Sequence, residues 1–322
     1  ALHTMSGSSA TFDEGAHLPA GYTHLALGDH RLNPEQPPLV KLLAAAALWP
    51  VRPVVDTDDL AWRTSRQWEF GRRFLYVWND GDRLLFLGRL PMLALTLVLI
   101  AAVALRTRRL AGPLAGALAL GLATLSPELL AHGTLVTTDV ALALFVLLAV
   151  AAFDALTERA TWGRLLLAGL ATGAALGTKF SGLVLGPVLL VLGLGAVVGT
   201  RPLESRLLRP ARALEGWVAR LRFVLAVLAG VAALSVLVLW AAYGCRGTLS
   251  PDPAVRATHR AALEAAAERP WQRALLGAAD AGVVPEDYAR GLLFVMAHSE
   301  ARSTFLRGRL SPEGFPHFFL VT

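Results

Sequence analysis

The sequence predicts an all-α, polytopic membrane protein: a transmembrane helix bundle with further helices outside the bilayer at its edge. Composition is the first observation. The 322 residues are 55% hydrophobic and 17% charged, with mean hydropathy +0.52, whereas soluble domains carry about 25% charged residues. The second is a series of apolar runs, with any charge confined to their ends, at about 86–105, 113–127, 140–156, 164–178, 182–199 and 223–243, each near the ~20 residues that span a bilayer. Six spans are expected, the runs at 113 and 164 being the shortest. The third is the placing of arginine in alternate loops. Arg106, Arg108 and Arg109 follow the first run, Arg159 and Arg164 the third, and six arginines from Arg201 to Arg222 the fifth, while 128–139 and 179–181 hold only Lys179 as a cation. By the positive-inside rule the Arg-rich loops are cytoplasmic, which puts residues 1–85, the 128–139 loop and the tail from 244 outside. The pI of 10.2 thus reports topology, and a nucleic-acid partner is not expected.

Taken in order, Thr11 and Glu14 match a T-x-x-E capping box, so a short helix is expected to start near Phe12 and to kink or restart at Pro19. Asp13 and Glu14 then point about 100° apart. Either they have separate jobs, or both simply favour a helix N-terminus. Pro37-Pro38 opens a helix at LVKLLAAAAL, and the run at 39–49 is short enough to suit the interface better than a span. The 51–85 segment mixes aspartates, arginines and three tryptophans, which either floor a sugar site or lie on the interface. All eight tryptophans fall in loops or at run ends, as an interfacial belt requires. Asp139 opens a span after VTT, where the helix dipole alone favours a carboxylate. Glycines at 169, 173 and 177 give small-xxx-small spacing, read as close helix packing. Three regions follow: 1–85 with the acidic pair and interfacial helices, 86–243 with the six spans, and 244–322 as an extracytoplasmic loop region. Residue 1 is not methionine and FPHFFLVT ends as another apolar run begins. A preceding segment and a further span are therefore expected beyond the two ends.

Several classes are excluded. No ionisable residue lies in the middle of any run, against a pump. There is no GxxxxGK[ST] and no strand followed by GxGxxG, so no nucleotide site. The lone Cys245 rules out an intramolecular disulfide and a cysteine metal cluster. His17 and His24 are seven apart with Pro19 and Gly21 between them, and no HExxH spacing exists.

The polar groups suited to chemistry collect on the expected outer side: Asp13, Glu14, Glu35, Lys41, Arg89, Glu128, His132, Asp139 and Lys179. Nucleotide-activated sugars are not available there, so a lipid-borne activated donor is the natural substrate. Lys41 and Lys179 are the only lysines among 30 basic residues. Each is either a snorkelling anchor or a compact ammonium for a phosphate at the lipid surface. Arg89, in GRLPML, suits bidentate phosphate contact.

DEGAHLPAGY, GDHRLNPEQPPLVKLL, GRLP, LSPELLAHGTLVTTD and GTKFSG resemble, in order and spacing, the phospholipid-carrier-dependent glycosyltransferases, which include the protein O-mannosyltransferases and the lipid A aminoarabinose transferases. VPEDYARGL and FLRGRLSPEGFPHFF resemble the later extracytoplasmic loop of that family. The resemblance implies the GT-C fold, a polyprenyl-phosphate sugar donor and inverting transfer on the outer face. It places the family's Asp-Glu pair on Asp13 and Glu14, its second-loop aspartate on Asp139, its Pro-Pro-Leu lysine on Lys41 and its span-opening arginine on Arg89. This chain has Gln36 where many relatives have His, and Ala16 where aminoarabinose transferases have Arg. Glu35 matches a residue proposed as a metal ligand in those transferases, so a divalent cation stays open, with no metal site otherwise expected.

The expected function is therefore an inverting glycosyltransferase of the cytoplasmic (inner) membrane. It would move a mannose-like hexose or related sugar from a polyprenyl-phosphate donor to a hydroxyl of a protein, lipid or glycan at the outer, periplasmic face. A polyprenyl phosphate leaves as a stabilised anion, with a second pKa near ~6 for the product, so one base plus phosphate-binding cations is enough. Asp13 is expected to be that base, with Glu14 and Asp139 completing the catalytic set. Lys41, Arg89 and Lys179 are expected on the donor phosphate, and Glu35 and His132 in substrate positioning. The rival reading is a non-catalytic membrane protein that binds or flips polyprenyl-phosphate lipids.

Overall fold

The computed structural model describes residues 2–200, 203–207, 212–299 and 304–318. Arg201 and Arg209, and the end of the apolar run at 319–322, lie outside the described residues. The first region folds as α1 (Leu2–Gly7), α2 (Glu14–Leu27), α3 (Leu39–Ala46), α4 (Leu60–Arg63) and α5 (Gln67–Tyr76). Next come α6 (Gly81–Ala111), α7 (Pro113–Thr124), α8 (Pro127–His132), α9 (Asp139–Glu158), α10 (Trp162–Thr178), a 3-10 turn (Phe180–Val184), α11 (Leu185–Val198) and α12 (Trp217–Ala242). The tail adds α13 (Pro253–Ala266), α14 (Pro270–Asp280) and α15 (Glu286–Ser299). Among the described residues, strand is confined to β1 (Arg159–Ala160), β2 (Glu204–Ser205) and β3 (Arg212–Ala213) in one small sheet, and β4 (Thr304–Leu306) with β5 (Arg309–Ser311) in a hairpin.

The chain is an all-α polytopic membrane protein, and against the six spans expected, four helical segments among the described residues are long and apolar enough to cross: Gly81–Ala111, Asp139–Glu158, Phe180–Val198 and Trp217–Ala242. Helix α7 has 12 residues, about 18 Å at the α-helical rise, and stops short of a bilayer core of about 30 Å. Helix α10 has 17 residues, about 26 Å. It packs against α9 on one side and α12 on the other.

Small residues bring α10 and α12 together. A Cβ on Gly169 would strike Leu234, and one on Gly173 would strike Val238 and Ser235. Ser235 closes the contact by donating to the carbonyl of Gly169 at 3.2 Å, across the helix pair. Without a hydrophobic drive between helices in lipid, such close backbone approach is what holds them.

The first region is a buried layer against α6. Helix α2 runs unbroken through Pro19, where a kink or restart was expected. The carbonyl of Gly15, four residues before Pro19, lies against Gly71 of α5, where any Cβ would collide with it. Helix α3 buries one face in the protein: Val40, Ala44 and Ala45, with Leu48 just beyond the helix, are fully buried in a core shared with Leu18, Phe70, Phe74 and Leu85. Trp62 is buried beneath the guanidinium of Arg31, 4.3 Å from its ring centroid.

The Arg-rich connections meet at one end of the bundle. β1 pairs in parallel with β2, and β2 antiparallel with β3, joining the α9–α10 and α11–α12 connections. Arg106 at the end of α6 pairs with Asp154 at the end of α9. The opposite end carries the first residue of α9, the last of α10 and the N-terminal layer. Gly173→Val is expected to destabilise the detergent-solubilised protein by about 1–3 kcal/mol through overpacking. Gly186→Ala, with open space around it, should leave the melting temperature unchanged or raise it; thermal unfolding of both variants checks the contrast.

Candidate active site

Asp13 and Glu14 part company at the start of α2. Glu14 is fully buried; its carboxylate accepts Arg89 Nε at 2.8 Å and Nη2 at 2.7 Å, the Val136 amide at 3.0 Å, and the Thr11 amide and hydroxyl at 3.0 and 3.1 Å. The back-bond to Thr11 is the capping-box half that the sequence predicts. The other half is absent, and the helix starts at Glu14 with Asp13 as N-cap. Burial alone would raise the Glu14 pKa, but the hydrogen bonds from Arg89, Thr11 and Val136 together outweigh it and hold the carboxyl below its ordinary value. Asp13 is exposed and caps no amide with its side chain.

Arg89 spends all five of its N–H donors inside the protein. Beyond Glu14, it donates to the carbonyls of Met5 at 3.0 Å, Ser8 at 2.9 Å and Ser9 at 2.9 Å. As placed, it has no donor left for a phosphate, and its role here is to pin α1 and α2 to α6. Lys41 is equally committed. Its ammonium is buried and donates to Asn33 O at 2.8 Å, Asn33 Oδ1 at 3.1 Å and Gln36 O at 2.8 Å. It neither snorkels nor faces solvent; it ties the Asn-Pro-Glu-Gln-Pro-Pro loop, which opens on Asn33 at φ +50°, onto α3. Burial pulls its pKa down to about 7, while three carbonyl acceptors, one for each N–H, reward the charged form.

Glu35 is half-buried and accepts from Gln67 Nε2 at 3.0 Å. Among the described residues no three His, Cys, Asp or Glu side chains converge as metal ligands.

Asp139, the first residue of α9, is exposed and takes a 2.6 Å hydrogen bond from Lys179 at the end of α10. His132 and Glu128, one turn apart on α8, lie 3.6 Å from each other. With Asp139, Val140, Ala143 and Leu129 they line an open cleft of about 370 Å³. A slightly larger cavity, about 410 Å³, sits at the Arg-rich end between Asp154, Glu158 and Arg220 and holds none of the predicted residues. The cleft at Asp139, not the larger cavity, is lined by two of the residues given a site role from the sequence, His132 and Asp139.

Sequence reasoning assigns no role to a second polar cluster, formed where the tail docks on residues 28–36. Asp29 and Arg31 make a buried ion pair at 2.7 Å, with Ser250 donating to Asp29 at 2.6 Å. His30 stacks between His24 and Tyr243. Burial keeps both histidines neutral, His30 being lowered to about 3. Arg290 is buried, 3.4 Å from the carbonyls of His30 and Arg31 and 3.9 Å from the Asp287 carboxylate, and burial raises Asp287 to about 7. The signal was present in GDHRLN and VPEDYARGL, which carry these residues, but nothing in the sequence says that the two segments touch.

The apolar helices define a polytopic, all-α membrane protein. Residues 81–229, just under half of the chain, match the family model described as Dolichyl-phosphate-mannose-protein mannosyltransferase, a match that supports a membrane glycosyltransferase of the GT-C type. The segment includes Arg89, His132, Asp139 and Lys179 but not Asp13, Glu14, Glu35 or Lys41. No curated protein and no solved structure matches the chain.

Because the folded pKa of Glu14 is lowered, its contribution to stability is fully present above the unfolded value of 4.5 and is lost as pH falls below it through the folded value. Glu14→Ala, which leaves the Arg89 charge buried and unpaired, is expected to cost about 3–5 kcal/mol. In acid titrations monitored by thermal unfolding, the gap between wild type and variant should be widest near neutrality and should narrow only below about pH 4.5.

Proposed function

We propose that the protein is an inverting glycosyltransferase that moves a hexose from a polyprenyl-phosphate donor to a hydroxyl acceptor, with its site at the carboxylate end of the bundle. The observation that carries this reading is the division of the acidic pair. Glu14 is consumed by the Arg89 ion pair, whereas Asp13 stands exposed at the helix start. Asp13 takes the proton of the acceptor hydroxyl. The oxygen attacks the anomeric carbon from the side opposite the phosphate, the carbon–phosphate oxygen bond breaks, and polyprenyl phosphate leaves with inversion. Asp139 positions sugar or acceptor hydroxyls, with His132 and Glu128 along the same cleft.

The cation for the departing phosphate is Lys179, which gives one of its three N–H donors to Asp139 and is half-exposed. Arg89 and Lys41 act indirectly, by fixing α2 and the Glu35 loop. The outer face of the cytoplasmic membrane is the expected location, since the Arg-rich connections gather at the opposite end. The family description favours a mannose-like sugar and a protein acceptor.

The test is incubation of the membrane-embedded protein with radiolabelled polyprenyl-phosphate hexose and an acceptor. Label should move from lipid to acceptor, and Asp13→Asn should slow transfer by roughly 10²- to 10⁴-fold, the usual worth of a general base. Binding without release would instead favour a carrier of the lipid. Lys179→Met is expected to weaken donor affinity by roughly 10- to 100-fold, the worth of one charge-assisted hydrogen bond, which donor saturation curves measure.

A further inference from the structure

His17 is a buried titratable group on α2 that the proposed reaction does not use. It lies one helical turn beyond Asp13 and Glu14 and is 4% exposed. Its Nδ1 lies 2.8 Å from the carbonyl of Val136. A carbonyl only accepts, so Nδ1 carries the proton, and Nε2 of the neutral ring keeps its lone pair. The charged groups acting on the ring are Asp13 on its own helix, Asp139 on α9 and Lys41 on α3.

Val136 is thereby gripped on both sides by one face of α2. Glu14 accepts from its amide at 3.0 Å and His17 donates to its carbonyl. Three residues later the chain enters α9 at Asp139. The strap joins two segments 119 residues apart in sequence. Each end of it is within a turn of a carboxylate assigned to the reaction.

We propose that His17 is a positioning residue, which through Val136 fixes Asp139 relative to Asp13. The proposal rests on the reading of those two carboxylates as the reaction site. Its physical content is that the distance between the base and the hydroxyl-positioning carboxylate is set by a hydrogen bond outside the site. A misplacement of about 1 Å there is worth roughly 10²-fold in rate.

The test compares three variants in the transfer assay. Asn places an amide N–H where Nδ1 stands, so His17→Asn should keep kcat within about threefold of wild type. Leu fills the space without a donor, and Gln places its amide nearer Nε2. His17→Leu and His17→Gln should both lower kcat by roughly 10²-fold with the donor KM unchanged, a split that simple loss of folded protein does not produce. If His17→Leu does not fold, His17→Gln carries the comparison. Wild-type kcat in either variant, or an equal loss in His17→Asn, overturns the assignment. Asp13→Asn in parallel separates the two levels. Full transfer by that variant would sink the two-carboxylate reading itself, whereas an inactive Asp13→Asn beside a fully active His17→Gln would sink only the role of His17.

Discussion

A buried carboxylate–guanidinium pair holds the functional end of this protein together. Glu14 and Arg89 are both almost completely removed from solvent, and removing two charges from water costs several kcal/mol per ion unless other bonds satisfy them. Here they are satisfied completely. The guanidinium closes five hydrogen bonds and the carboxylate accepts five. The partners are spread over the N-terminal segment, α2, α6 and the loop before α9. Three pieces of chain distant in sequence, the N-terminal stretch running into α2, the start of α6 and the loop before α9, are thus locked at one point, and none of them can shift without breaking a bond to a buried charge.

That lock explains why neighbouring acids have different fates. Once Glu14 is turned inward to Arg89, the roughly 100° step between adjacent helical positions turns Asp13 away from the core. The Val136 contact then draws in the start of α9, bringing Asp139 and its partner Lys179 to the same end. Lys41 does for the Glu35 loop what Arg89 does for α1 and α2. Two of the three cations expected on a phosphate are therefore framework, and the one at the cleft is the lysine at the end of α10.

The fold was legible where the physics is local. Apolar runs with charge confined to their ends report helices in lipid directly, and each of the six runs is built mainly of helix. Whether each crosses was less legible: α7 ends at Thr124 while the apolar composition runs on to 127, because a Ser-Pro pair starts α8 there. Unbroken passage of α2 through Pro19 depends on a glycine in a different helix, which no local rule anticipates. The sequence singles out the reactive groups as a set, since the scarcity of lysine and the acidic pair are visible in one dimension. It does not say which are consumed by one another, because ion pairing between positions 14 and 89 is a property of packing.

By itself, then, the sequence determined the membrane class, the apolar helices, the end of the bundle that is polar and the family resemblance carried by the motifs. Composition and short spacing encode these, and lipid punishes every exception. Only the tertiary structure decided that Glu14 and Arg89 neutralise each other, that Lys41 is spent on three carbonyls, and that the Asp29–Arg31 and Asp287–Arg290 pairs meet. The reason is that a donor or carboxylate has a fixed capacity for partners. Which partners fill it is settled by what long-range folding brings within about 3 Å, not by the identity of the residue.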